Sequence, residues 1–126
     1  MGAVVLSSEG ESDRGILAAK LHSDGAFGPN LVLPSSASDE ESGPFISMAG
    51  REVFKVAVRS IADSSQEVLD ASGHTVDDLD WYVSHQANER ILQAVGKQLG
   101  LPNEKVLVNV DRYGNTSAAS LPLLLA

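Results

Sequence analysis

An α/β architecture, a parallel sheet covered by helices, follows from three features of this 126-residue sequence. Short apolar runs recur along it ("GAVVL", "LDWYVS", "KVLVNV"), continuous in the manner of strands buried on both faces. Amphipathic stretches with helical periodicity separate them. The resulting order of strand, helix, strand, helix, strand, helix favours parallel strands joined by helical crossovers.

Taken in order, "GAVVL" predicts a first strand over residues 2–6, and "GILAAKLHSDG" a weaker one ending at Asp24 and Gly25. Between residues 28 and 47 the composition shifts to Pro, Ser, Gly and acidic residues, which reads as a long loop, a length that is uncommon without a function. A helix is predicted over 49–72, where Val53, Ala57 and Ile61 recur every four residues and Gly73 supplies the stop. "LDWYVS" predicts a strand over 79–84 after the acidic turn at Asp77, Asp78 and Asp80. Residues 88–99 predict a second helix, with Ile91, Val95 and Leu99 on one face and Gly100 and Pro102 beyond its end. "KVLVNV" predicts a strand over 105–110, and "SAASLPLLLA" the beginning of a helix.

Composition excludes several classes of function. A net charge of −8, with no local excess of Lys and Arg large enough to overcome phosphate repulsion, opposes nucleic-acid binding. No apolar run approaches the roughly 20 residues of a membrane span. The N-terminus lacks the basic region of a signal peptide, so a cytoplasmic location is expected. The absence of cysteine rules out disulfides and thiolate chemistry within this chain. His22 and His74 have no partner at metal-ligand spacing, so no metal site is expected.

Two polar groups stand at expected strand ends. His85 follows the strand over 79–84, and Asn115 lies just past the strand over 105–110. Ligands of parallel α/β sheets gather at the carboxyl ends of strands. An imidazole N–H and an amide N–H converging there can hold an oxyanion or an enolate. The residues alone equally allow a buried histidine and a turn asparagine beside Gly114.

The stretches "WYVSHQANERI", "VNVDRYGNTSAAS" and "MAGREVFKVAV" resemble the β-ketoacyl-acyl carrier protein synthase III family of thiolase-fold condensing enzymes. The resemblance runs through essentially the whole chain and is weakest over 28–47. It implies a thiolase-like fold, with this chain as a partial C-terminal domain truncated at both ends. Residues 1–10 would then be the last strand of a preceding half. It also implies decarboxylative condensation of malonyl-acyl carrier protein with an acyl-CoA primer, initiating fatty-acid synthesis. His85 and Asn115 take the catalytic roles, beside a cysteine that the preceding half carries, so the chain alone is expected to be inactive. No cofactor is implied, since acyl-CoA and malonyl-acyl carrier protein are substrates. The longer protein is expected to be a homodimer.

By the same resemblance Gly50, Phe54, Ala87 and Asn88 line the site of the pantetheine arm, with a helix cap as the plainer reading of Asn88. Carrier-protein docking falls to Gln86, Ala87, Asn88, Glu89 and Arg90, to the stripe Arg51, Lys55 and Arg59, and to Lys97. A solvated helix face is the plainer reading of that stripe. Ser117 and Ser120 read as packing and cap residues. Related polyketide-type condensing enzymes, and a non-catalytic fragment that binds carrier protein, are the alternatives.

Overall fold

The computed structural model describes residues 2–10, 14–33 and 45–126. These form two compact units, Leu21–Ala57 on one hand and Met1–Lys20 with Val58–Ala126 on the other.

In the smaller unit, Asp24 accepts a hydrogen bond from the Ala26 N–H at 2.9 Å and opens a 3₁₀ turn, Gly25–Asn30. The turn leads into strand β1, Leu31–Val32, which pairs antiparallel with β2, Ser47–Met48, in the register Leu31 to Met48 and Val32 to Ser47. The long loop expected over 28–47 therefore has structured flanks. A proline-bearing turn and the apolar dipeptide that follows can close a short ladder where a composition count reads only loop. Residues 34–44 of that expectation lie outside the described residues.

Helix α1, Gly50–Ser72, matches the prediction to within a residue. It carries Glu52 in its first turn and ends where Gly73 turns to φ +72°. Ala62 and Leu69, seven residues apart on one face, are its buried positions, while Val53, Ala57 and Ile61 are half-buried. After the helix, the Asp78 carboxylate accepts from both N–H and Oγ1 of Thr75 at 2.8 Å. These bonds, backbone first and side chain second, hold the Asp78 carboxyl below the ordinary aspartate range.

The predicted sheet is where the structure departs from the sequence reading. Residues 2–10 and 14–24 form no strand; Val5 is 94% exposed and Leu21 97%. The segments 79–84 and 105–110 meet at one parallel bridge, Tyr82 to Val106. The Tyr82 N–H donates to Lys105 O at 2.7 Å, and the Leu107 N–H to Tyr82 O at 3.1 Å. Lys105 Nζ also donates to Leu79 O. The physical reason is pairing. A parallel ladder is stable when flanked by further strands and covered on both faces, and each of these runs has one neighbour at most. Among the described residues the sheet is thus one short antiparallel pair and one parallel bridge.

Helix α2, Glu89–Leu99, is capped at both ends. Asn88 accepts from the Arg90 N–H at 2.9 Å. Gly100, at φ +76°, lets its own N–H and that of Leu101 reach Lys97 O and Gly96 O. Leu92, Leu101 and Val106 form a buried cluster, against which Val76, Leu79, Tyr82, Leu99 and Val108 pack. Gly96 allows the close approach: a Cβ there would stand 2.7 Å from Val106 Cγ2.

The strand predicted through Val110 ends early, because Val110 begins a short helix, α3, Val110–Tyr113. The Asn109 N–H that would continue a ladder is instead bonded to a side chain, Gln86 Oε1, at 2.8 Å. A 3₁₀ turn, Ser117–Ala119, precedes helix α4, Ser120–Leu125, where the final helix was expected. No helix among the described residues is long and apolar enough to cross a membrane.

Candidate functional site

His85 sits on a tight turn between the 79–84 segment and α2. The Ala87 N–H folds back onto His85 O at 3.1 Å, and Asn88 then starts the helix. The residue between them, Gln86, turns inward and is fully buried. Its Nε2 donates to Ser84 O and to Leu107 O, both at 3.1 Å, and its Oε1 accepts from the Asn109 N–H. Both amide hydrogens and the carbonyl are satisfied, as a buried amide requires. Gln86 was expected at a docking surface, and its burial corrects that: a side chain with no exposed area cannot meet a carrier protein.

Asn115 is presented by a second strained turn. Gly114 adopts φ +67° with ψ −167°, a region open essentially to glycine. Asn115 Oδ1 accepts from the Ser117 N–H at 3.0 Å, and Ser117 itself takes φ +53°. Its oxygen is held by that bond and the residue is exposed, which leaves the amide N–H₂ free to serve an oxyanion.

One residue connects the two turns. Ser120, 1% exposed at the start of α4, donates from Oγ to Ser117 O at 2.7 Å. The same oxygen accepts from the Gln86 N–H at 3.2 Å and lies 2.9 Å from His85 Nδ1. His85 is thereby linked through Ser120 and Ser117 to Asn115. Read in the sequence as a packing and cap residue, Ser120 touches the imidazole directly. Its separation of 35 positions from His85 left no local signal of this.

The remaining candidates divide between the units. Ala87 and Asn88 are exposed beside His85, and the cap uses Asn88 Oδ1. Glu89 and Arg90 are exposed in the first turn of α2, and Lys97 in its last. Glu89 suits the helix dipole but has the wrong sign to attract an acidic partner. Gly50, Arg51, Phe54 and Lys55 belong to the smaller unit, with Phe54 half-buried and the others exposed. Lys55 pairs with Glu52 at 2.9 Å, and Arg59 with Asp63 at 3.6 Å. The basic stripe on α1 is therefore exposed but partly neutralised along its own helix. Among the described residues no group of three His, Asp or Glu could hold a metal ion. An open cavity of about 480 Å³ in the larger unit is lined by Leu69, His74, Leu79, Trp81 and neighbours, and by none of the candidate residues.

The family model for the C-terminal region of 3-oxoacyl-[acyl-carrier-protein] synthase III matches residues 69–126. β-Ketoacyl-[acyl-carrier-protein] synthase III of Rhizorhabdus wittichii is 49% identical over 98% of this chain, and that of Sinorhizobium medicae 50% over 98%. The chain spans about two-fifths of their length, 39% and 40%. The crystal structure of the Pseudomonas aeruginosa synthase III superposes with a TM-score of 0.82 at 41% identity, over 93% of this chain and 36% of the other. A priming β-ketosynthase of the R1128 polyketide pathway reaches 0.68 at 38% identity, over 81% of this chain and 32% of the other. The fold is that of the thiolase-type condensing enzymes. Within that class the chain is similar, over almost its whole length, to members of the β-ketoacyl-[acyl-carrier-protein] synthase III family.

The hydrogen count at Ser120 makes a prediction about His85. A hydroxyl has one hydrogen and two lone pairs. Ser117 O can only accept and the Gln86 N–H can only donate, so the remaining lone pair faces Nδ1. All three contacts are met only when Nδ1 carries a hydrogen. Imidazole ¹⁵N spectra are expected to show a hydrogen on Nδ1. An Nε2–H form would mean that Ser120 gives its proton to the ring and leaves Ser117 O.

Proposed function

We propose that this chain contributes the histidine and asparagine of a β-ketoacyl-acyl carrier protein synthase III, an acyltransferase that opens fatty-acid synthesis. What carries the reading is the pair of exposed polar side chains, His85 and Asn115, on two turns linked through Ser120 and Ser117. It is supported by near-50% identity to synthases of that name over almost the whole chain. In this reading the chain is a partial C-terminal thiolase-like domain, and residues 1–10 become a strand only beside the half before it.

In this reaction a cysteine thiolate from outside this chain attacks the acyl-CoA carbonyl, and CoA departs as its thiolate. Malonyl-acyl carrier protein then enters and loses CO₂, and the electron pair of the broken C–C bond forms an enolate. His85 and Asn115 donate N–H bonds to the enolate oxygen. The carbanion carbon attacks the acyl-cysteine, the cysteine sulfur leaves, and β-ketoacyl-acyl carrier protein remains. Asn115 keeps its donor at every working pH. With Nδ1 turned to the Ser120 hydroxyl, Nε2 is the ring nitrogen that faces the enolate. The Asn88 amide, its oxygen used by the cap, turns its N–H₂ end to a pantetheine carbonyl beside Ala87. No cofactor enters any step. The protein acts in the cytoplasm as a homodimer. The resemblance to a polyketide priming synthase favours one variant of the reading, the same chemistry on a different acyl primer.

In the full-length protein carrying this stretch, His85→Ala and Asn115→Ala are each expected to slow malonyl decarboxylation by on the order of 10²–10³, leaving cysteine acylation largely intact. Decarboxylation at the parent rate in either variant would remove that residue from the role and favour a non-catalytic carrier-binding part.

The carrier protein, being acidic, is received by Arg51, Lys55 and Arg59 on α1 and by Arg90 and Lys97 on α2. Exposed ion pairs such as Lys55 with Glu52 contribute at most about 1 kcal/mol and yield to a partner's acids. Lys55→Glu or Arg90→Glu is expected to raise KM for malonyl-acyl carrier protein several-fold, less so at high salt, with use of a small malonyl thioester nearly unchanged. Equal loss on both substrates would show that these residues support the fold instead.

A further inference from the structure

Gln86 connects every segment that carries a proposed donor. Its backbone stands next to His85, and its N–H bonds the hydroxyl of Ser120 that also touches the His85 ring. Its side chain crosses to the other turn, donating to Leu107 O and accepting from the N–H of Asn109, the residue at which the chain leaves the Tyr82–Val106 bridge for α3. Five positions after Asn109 comes Gly114, and then Asn115. Backbone pairing between the two segments is limited to the single bridge at Tyr82. Beyond that bridge, toward the site, this buried amide provides hydrogen bonds that fix the spacing of the segments.

We infer that Gln86 is a positioning residue, whose buried amide sets the distance between His85 and Asn115 on which the enolate-holding pair depends. The inference rests on the proposed roles of those two residues. Gln86 itself touches no substrate, since it has no exposed surface. Its amide also has the right valence for the task, because three backbone groups on two segments need two donors and one acceptor. A carboxylate or an alkyl chain of similar size cannot meet that demand. Two polar groups that must act on one oxygen tolerate little displacement; misplacement by about 1 Å costs on the order of 10² in rate.

The test compares Gln86→Glu with Gln86→Leu in the full-length protein, with His85→Ala measured alongside. Gln86→Glu keeps the acceptor for Asn109 N–H and loses both donors, and Gln86→Leu loses all three bonds. Three quantities are read: the folded fraction by circular dichroism, the rate of cysteine acylation, and kcat and KM for decarboxylation of a small malonyl thioester. For each Gln86 variant, decarboxylation kcat is expected to fall at least tenfold more than acylation, with KM held within about twofold. A merely structural role would lower the two half-reactions together, in proportion to lost folded protein, and would overturn the inference. So would a parent-like decarboxylation rate. If Gln86→Leu does not fold, the nearly isosteric Gln86→Glu decides the matter. If His85→Ala itself retains decarboxylation, the proposed function fails, and that outcome is separate from a failure confined to Gln86.

Discussion

The structure around the site depends on one buried primary amide. Gln86 spends every hydrogen-bonding group it has on backbone: Ser84 O and Leu107 O at 3.1 Å, and the Asn109 N–H at 2.8 Å. Burying an amide is costly when its bonds are unmade, and leaving three backbone groups unpaired costs about 1–3 kcal/mol for each. The arrangement is therefore held from both sides, since neither the side chain nor its partners have another place to go. It does for the ends of two segments what further ladder bonds would do in a long strand pair. His85 and the chain leading to Asn115 inherit their relation from it.

Apolar packing supports the same region from beneath. Leu92, Leu101 and Val106 bring α2 against the 105–108 segment, and Gly96 removes the one atom that would push Val106 away. Asn88 and Gly100 set where α2 begins and ends. The turn bearing His85 is thus fixed at its helical end by a cap and at its inner side by Gln86. At the other turn, Gly114 and the bond from Ser117 N–H to Asn115 Oδ1 orient the second amide. Ser120 closes the circuit with a single hydroxyl that meets His85, Gln86 and Ser117.

Helices were legible in the sequence because their determinants are local. The stripes and stops of α1 and α2, the Asn88 cap and the glycine ends all lie within a few residues of what they control. Strands were not, because a ladder needs a neighbour. "GAVVL" has the composition of a buried strand but is left exposed without one, and "KVLVNV" is diverted at Asn109 by a side chain 23 positions away. The site shows the same division. His85 and Asn115 could be picked out from their turns and motifs. Gln86 could not be separated from its exposed neighbours, since "HQANER" has no periodicity that says which residue points inward. Ser120 lay among small residues that usually pack or cap.

The central claim is that the Gln86 amide holds the 84–86 and 107–109 segments together. Hydrogen exchange at the Asn109 N–H tests it most directly, because that group's partner is the Gln86 side chain and not a backbone carbonyl. If the claim is right, Asn109 exchanges as slowly as the amides of buried Leu92 and Val95 in α2, opening only with the surrounding unit. An Asn109 amide that exchanges at the rate of the exposed turn residues around Gly114 would contradict it.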